Sequence, residues 1–157
     1  TTEEIWSLLA KKQSGLPESI MLSDATELPV IAGADALRSK WDRIRAVRAE
    51  VAKAMEAVRT EGSIGSSLQA EVAIVAPAED AAALADIGDD LKFVLISSQA
   101  TVAAGDALQI TVTASSHAKC ERCWHQRDSV GQDANHPGWC DRCVSNVHGT
   151  GEARSYA

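Results

Sequence analysis

An α+β fold in three parts is what this sequence predicts: a helical segment over residues 1–62, a small α/β sheet domain over 63–118, and a compact terminal module over 119–157. Three observations carry that division. Apolar residues recur every three or four positions between Ala36 and Thr60, then every second position from Leu68 to Ile74, and all four cysteines fall between positions 120 and 143. A chain of 157 residues can form one large or two to three small domains and should bury roughly two thirds of the surface it exposes when unfolded. The core is expected to be thin, because the 45% apolar fraction includes 27 Ala and only six aromatic residues, four of them Trp.

The opening stretch TTEEIWSLL, residues 1–9, reads as a short helix. Thr1 and Glu4 stand at capping-box spacing, and Ile5, Trp6, Leu8 and Leu9 form an apolar side. Lys11 to Ala34 is broken by Gly15, Pro17, Pro29 and Gly33 and reads as an irregular connection. The strongest helix runs from Ala36 to Thr60, opened by Asp35 as a cap and closed by Gly62. Its stripe of Leu37, Trp41, Ile44, Val47, Val51, Met55 and Val58 is expected to be buried. Away from the stripe seven cations, Arg45, Arg48 and Lys53 among them, stand against three acids, so this helix is net +4 within a chain of −7. Such a face is either a solvated surface of charge pairs or a basic ridge for a polyanion.

GSIGSS is a turn rather than a phosphate loop, since it lacks the lysine and the glycine spacing that cradle a phosphate. Leu68, Ala70, Val72 and Ile74 then alternate as in a half-buried strand. Pro77 sits where a first helical turn would begin, and AEDAAALADIG reads as a short helix stopping at Gly88. Residues 89–98, DDLKFVLISS, fit a helix or a buried strand equally well. ATVAA and ALQITVTA read as strands, the latter alternating Leu108, Ile110 and Val112. No stretch reaches the ~18 consecutive apolar residues of a membrane span, and no charged-apolar-small leader opens the chain. A cytoplasmic location and no membrane partner are the expectation.

Cys120, Cys123, Cys140 and Cys143 form two C-x-x-C knuckles, each presenting two thiolates. Four soft sulfur ligands satisfy the tetrahedral preference of Zn2+ with no open position, so one structural zinc is expected, without an activated water. Two disulfides or a redox dithiol are the rival readings, and iron is the minor metal alternative. His125 and His136 lie nearby, but two complete Cys pairs leave them no vacancy. The module is otherwise neutral and offers Trp124 and Trp139 beside its knuckles. Each could stack an unpaired base or pack internally as a miniature core.

KCERCWHQRDSVG and WCDRCVSNVHGTGEARSYA closely resemble the carboxy-terminal zinc module of bacterial isoleucyl-tRNA synthetases. The family pattern, K-C-x-R-C-W-H followed by C-x-R-C-V-x-N-V-x-G-x-G-E-x-R-x-x-A, is met by Lys119, Arg122, Trp124, His125, Arg142, Val144, Asn146, Val147, Gly149, Gly151, Glu152, Arg154 and Ala157. TTEEIWSLL, WDRIRAVRAEVAKAMEAVR, IGSSLQAEV and DDLKFVLISSQATV are similar to further segments of the same family, so the likeness spans essentially the whole chain.

That resemblance implies the end of a helical anticodon-binding bundle over 1–62, a small α/β domain over 63–118 and a zinc finger over 119–157. All three would serve recognition of tRNA(Ile) in an isoleucine–tRNA ligase that charges it with isoleucine in an ATP-dependent reaction. The class I catalytic signatures are absent from the 157 residues, so no residue here is catalytic and the remainder of a synthetase chain is an implied partner. A monomer is expected, and the start at Thr1 fits a piece of a longer protein. The RNA-contact candidates are Arg122, Trp124, Arg142 and Arg154 in the module, with Arg45, Arg48 and Lys53 on the long helix. Two other readings use the same motifs: a stand-alone tRNA-binding accessory protein derived from a synthetase end, and the four-Cys finger of a formamidopyrimidine-DNA glycosylase-like repair enzyme. The latter should carry a helix-two-turn-helix before the finger, where this sequence has strands.

Overall fold

The computed structural model describes residues 1–24 and 27–154; the end of the zinc module, with Ala157, lies outside the described residues. The chain forms two compact units, Thr1–Ala34 and Asp35–Ala157.

In the first unit, α1 spans Thr2–Lys12, running three residues past the expected end at Leu9, with Thr1 and Glu4 forming its capping box. Trp6 is half-buried, its indole Nε1 donating to the Pro17 carbonyl at 2.9 Å. The apolar side otherwise lacks cover among the described residues: Ile5, Leu8 and Leu9 are exposed. A single 3-10 turn, Ile20–Leu22, interrupts the irregular connection.

The second unit is built around α2, Ala34–Thr60. Ile44, Val47, Val51 and Met55 are buried as their spacing predicts, and Trp41 and Val58 pack at the margins. Leu37, expected on the same stripe, is 49% exposed, because the core meets α2 only from Trp41 to Val58. The opposing core comes from a three-stranded sheet: β1 Ala70–Ala76, β2 Gln99–Ala104 and β3 Gln109–Ala114. β1 is central, parallel to β2 and antiparallel to β3. It contributes Val72 and Ile74. The alternation predicted from Leu68 starts two residues later, because Gln69 folds back to accept from Gly65 N at 2.5 Å and holds Ser67–Gln69 in a 3-10 turn. Just after β2, a side chain at Gly105 would run into Val75, so only glycine lets the chain pass there.

Between β1 and β2 run α3, Ala78–Ala85, and α4, Leu91–Leu95. Pro77 is the N-cap of α3 rather than part of its first turn, and α3 ends before Gly88, which opens a 3-10 turn instead. The ambiguous segment 89–98 is helical, burying Leu91 and Leu95, and stops sharply where Ile96 adopts a left-handed conformation (φ 58°, ψ 51°). Such a stop normally belongs to glycine. It lets the Ser97 amide donate to Lys92 O at 2.8 Å and turns the chain into β2. The terminal module follows β3 and carries α5, Asp141–His148. No helix among the described residues is long and apolar enough to cross a membrane.

Candidate metal centre

The two C-x-x-C knuckles fold so that all four sulfurs lie within 4.8 Å of one another. A tetrahedron with Zn–S bonds of ~2.3 Å has edges of ~3.8 Å, and Cys123 Sγ lies 3.7 Å from Cys140 Sγ. Cys120, Cys140 and Cys143 are wholly buried and Cys123 is half-buried, which leaves little room for a solvent ligand. The donor set and its spacing fit one structural zinc. Polar partners support the sulfurs: Cys140 N donates to Cys120 Sγ at 3.3 Å, and Arg122 Nη1 to Cys143 Sγ at 3.6 Å. Burial pushes the Cys120 thiol up, but amide donors from Cys123, Cys140 and Arg122 outweigh it and bring it down to about 6. Cys140, where burial dominates, is pushed up instead. A metal displaces thiol protons most readily where amides already favour the thiolate.

The module is tied to the sheet domain by polar and aromatic contacts. Ser98, buried at the start of the β2 segment, accepts from Gln126 N at 2.7 Å and donates to Leu68 O at 2.5 Å. His125 is buried edge-on against Phe93, centroids 5.6 Å apart. Burial, with the Arg142 charge next, lowers its basicity, which suits a neutral packing ring rather than a ligand. Over the same Phe93 sit Arg154 at 4.0 Å and Arg142 at 4.8 Å from the ring centroid. Both guanidinium groups converge on Glu152 Oε1, Arg142 Nε at 2.7 Å and Arg154 Nη2 at 2.6 Å, and Asn146 Nδ2 joins them at 3.1 Å. Burial raises the Glu152 carboxyl, but these donors prevail and hold it at about 2.

The two tryptophans divide. Trp139 packs inward, stacked with His136 at 5.1 Å and His148 at 5.8 Å. Trp124 is 61% exposed and its backbone is left-handed (φ 68°), with Lys119 Nζ 4.9 Å from its ring centroid. Arg122 is exposed beside it in sequence. Of the remaining candidates, Arg142 keeps only 15% of its side chain exposed and Arg154 29%, both engaged with Glu152. On α2, Arg45 and Lys53 are 72% exposed and pair within the helix with Asp42 and Glu50. Arg48 Nε donates to Val94 O at 2.9 Å and so fastens α2 to α4. Upstream, Lys40 pairs with Asp86, and Arg43 with Glu79 and Asp80 of α3, so much of the basic face is already neutralised. Phe93 and Glu152 escaped the sequence reading as site residues, although the G-x-G-E spacing around Glu152 was a signal.

Four thiols closing a short polar module define a zinc-finger domain, and residues 119–146 match the family described as "Zinc finger found in FPG and IleRS". The wider chain is similar to isoleucine–tRNA ligases. That of Bordetella pertussis is 53% identical over 163 residues, covering 100% of this chain and 17% of that protein. That of Cupriavidus pinatubonensis is 54% identical over 161 residues, and that of Thiobacillus denitrificans 50% over 157, each covering 100% of this chain and 16% of the relative. The likeness to the carboxy-terminal region of isoleucyl-tRNA synthetases therefore runs through the whole chain, which spans about a sixth of the length of the curated relatives it matches.

Proposed function

We propose that this chain is the tRNA-recognition part of an isoleucine–tRNA ligase, binding the anticodon end of tRNA(Ile) while the remainder of the synthetase performs ATP-dependent charging. The division into an anticodon-bundle end (1–62), a small α/β domain (63–118) and a zinc finger (119–157) is part of the same reading, as are a monomeric state and a cytoplasmic setting. Cys120, Cys123, Cys140 and Cys143 hold the zinc, and the chain itself supplies no catalytic group.

The observation that carries the reading is the exposed indole of Trp124, flanked by Lys119 and next in sequence to Cys123 of the first knuckle. An aromatic ring of this kind is a stacking platform for an unpaired loop base. Arg122 in the finger, and Arg45, Arg48 and Lys53 on α2, supply positive charge for phosphates, which set orientation rather than sequence. Arg142 and Arg154 contribute by holding the terminal segment and by whatever N–H groups Glu152 leaves available.

Titration of a tRNA(Ile) transcript against the chain at fixed ionic strength tests this. Trp124→Ala should weaken binding by about tenfold or more, the loss of one stacked base at ~1–3 kcal/mol, with no change in folding, since the ring is mostly solvated. Equal affinity of wild type and variant would remove Trp124 from the interface. In the full enzyme the same substitution should lower tRNA charging and leave isoleucine activation unchanged.

A further inference from the structure

Four thiolates around one Zn2+ carry a formal double negative charge, and here three of the four cysteines are wholly buried. Uncompensated charge in such a place is costly and invites protonation of a sulfur and loss of the metal. Backbone amides offset part of it, the Cys140 N–H on Cys120 Sγ at 3.3 Å among them, and α5 begins at Asp141, so its positive end lies beside Cys140. Side-chain cations are the other source. Lys119 is drawn to the Trp124 ring, Arg127 lies 3.7 Å from Asp141, and Arg154 is spent on Glu152. Arg122 differs: its Nη1 donates to Cys143 Sγ at 3.6 Å, across from its own knuckle to the other.

We propose that Arg122 is a charge partner of the tetrathiolate, bridging the two knuckles and setting how firmly the finger holds its zinc. The guanidinium has five N–H donors in a rigid fork, so one can rest on sulfur while the others stay in solvent. A donor on Cys143 Sγ withdraws electron density from the sulfur, which makes it slower to take up a proton or react with an electrophile. The opposite knuckle repeats the sequence but not the contact, its arginine donating to Glu152 instead of a sulfur. Arg142 holds the corresponding place in C-D-R-C that Arg122 holds in C-E-R-C, and its Nη1 is buried without a hydrogen-bond partner among the described residues. Loss of an outer partner of a metal ligand typically costs 10–100-fold in affinity.

The test uses the zinc-loaded 157-residue chain without RNA, so its failure would leave the tRNA reading untouched. Arg122→Met removes the charge at similar length, and Arg122→Lys restores it without the fork. Zinc transfer to a chelating dye at fixed pH should be about tenfold faster for Arg122→Met, with Arg122→Lys between it and wild type. In the cobalt-loaded chains the thiolate-to-metal absorption band should shift in Arg122→Met while the tetrahedral bands persist. Wild-type release kinetics and an unshifted band in Arg122→Met would overturn the proposal. If Arg122→Met forms no tetrahedral cobalt site even at saturating metal, Arg122→Lys decides. Recovery of the site in the lysine variant supports a role through charge, and failure of both overturns it in favour of packing.

Discussion

Replacing Glu152 with Gln isolates the charge on which the terminal segment is folded. Its Oε1 accepts from Arg142 Nε at 2.7 Å, Arg154 Nε at 2.8 Å, Arg154 Nη2 at 2.6 Å and Asn146 Nδ2 at 3.1 Å. Gln keeps an oxygen in that place and loses the charge, so the geometry survives and the electrostatics do not. The carboxyl is held at about 2 against an ordinary 4.5, which corresponds to about 3 kcal/mol at 1.36 kcal/mol per pH unit. Because 24% of the side chain is open to solvent, screening reduces that, and about 2 kcal/mol is the expected loss. Hydrogen exchange reads it locally: amides that depend on this closure, Gly149 N on Ser145 O and Gly151 N on Ser145 O, should exchange about thirtyfold faster in Glu152→Gln. A carboxyl with a lowered folded value stabilises fully above about 4.5 and loses that contribution as pH falls toward about 2. The gap between wild type and variant should therefore be the same at pH 8 and pH 6. Equal exchange rates in the two proteins, or a gap that closes between those pH values, would refute the assignment to Glu152.

Two further outcomes follow from the metal centre and from α4. Stripping zinc with a chelator should unfold residues 119–154 while α2 and the sheet persist, since metal binding of this kind supplies ~10 kcal/mol or more to a short polar module; amide dispersion of the finger that survives chelation would contradict it. Ile96→Gly should raise stability by about 1 kcal/mol, because a left-handed β-branched residue costs ~1–2 kcal/mol and the half-exposed Ile96 side chain returns only part of that through burial; a lower thermal midpoint would show that its packing outweighs the strain.

The features legible in the sequence were those that repeat along it. The period of α2 identified Ile44, Val47, Val51 and Met55 as core, and the cysteine spacing alone pointed to zinc. Where a residue's environment depends on a distant part of the chain, the pattern was silent. LKFVLI is apolar at nearly every position, so no period separates helix from strand; the left-handed Ile96 and the burial of Leu91 and Leu95 separate them. C-x-x-C-W says nothing about where an indole points: Trp124, on a left-handed backbone, is left exposed, whereas Trp139 finds two imidazoles. Arg142 and Arg154 read as free cations until Glu152 and Phe93 are brought beside them by folding.

The order of strands has a consequence for how the chain is made. β1 occupies the middle of the sheet yet precedes both neighbours in sequence. As the polypeptide leaves the ribosome, β1 emerges with both of its edges unpaired, and neither edge closes until Gln99–Ala104 and then Gln109–Ala114 have been synthesised. All four cysteines follow β3 in sequence, so every strand of the sheet has been made before the second pair of zinc ligands, and Glu152, which ties Arg142 to Arg154, comes after both pairs.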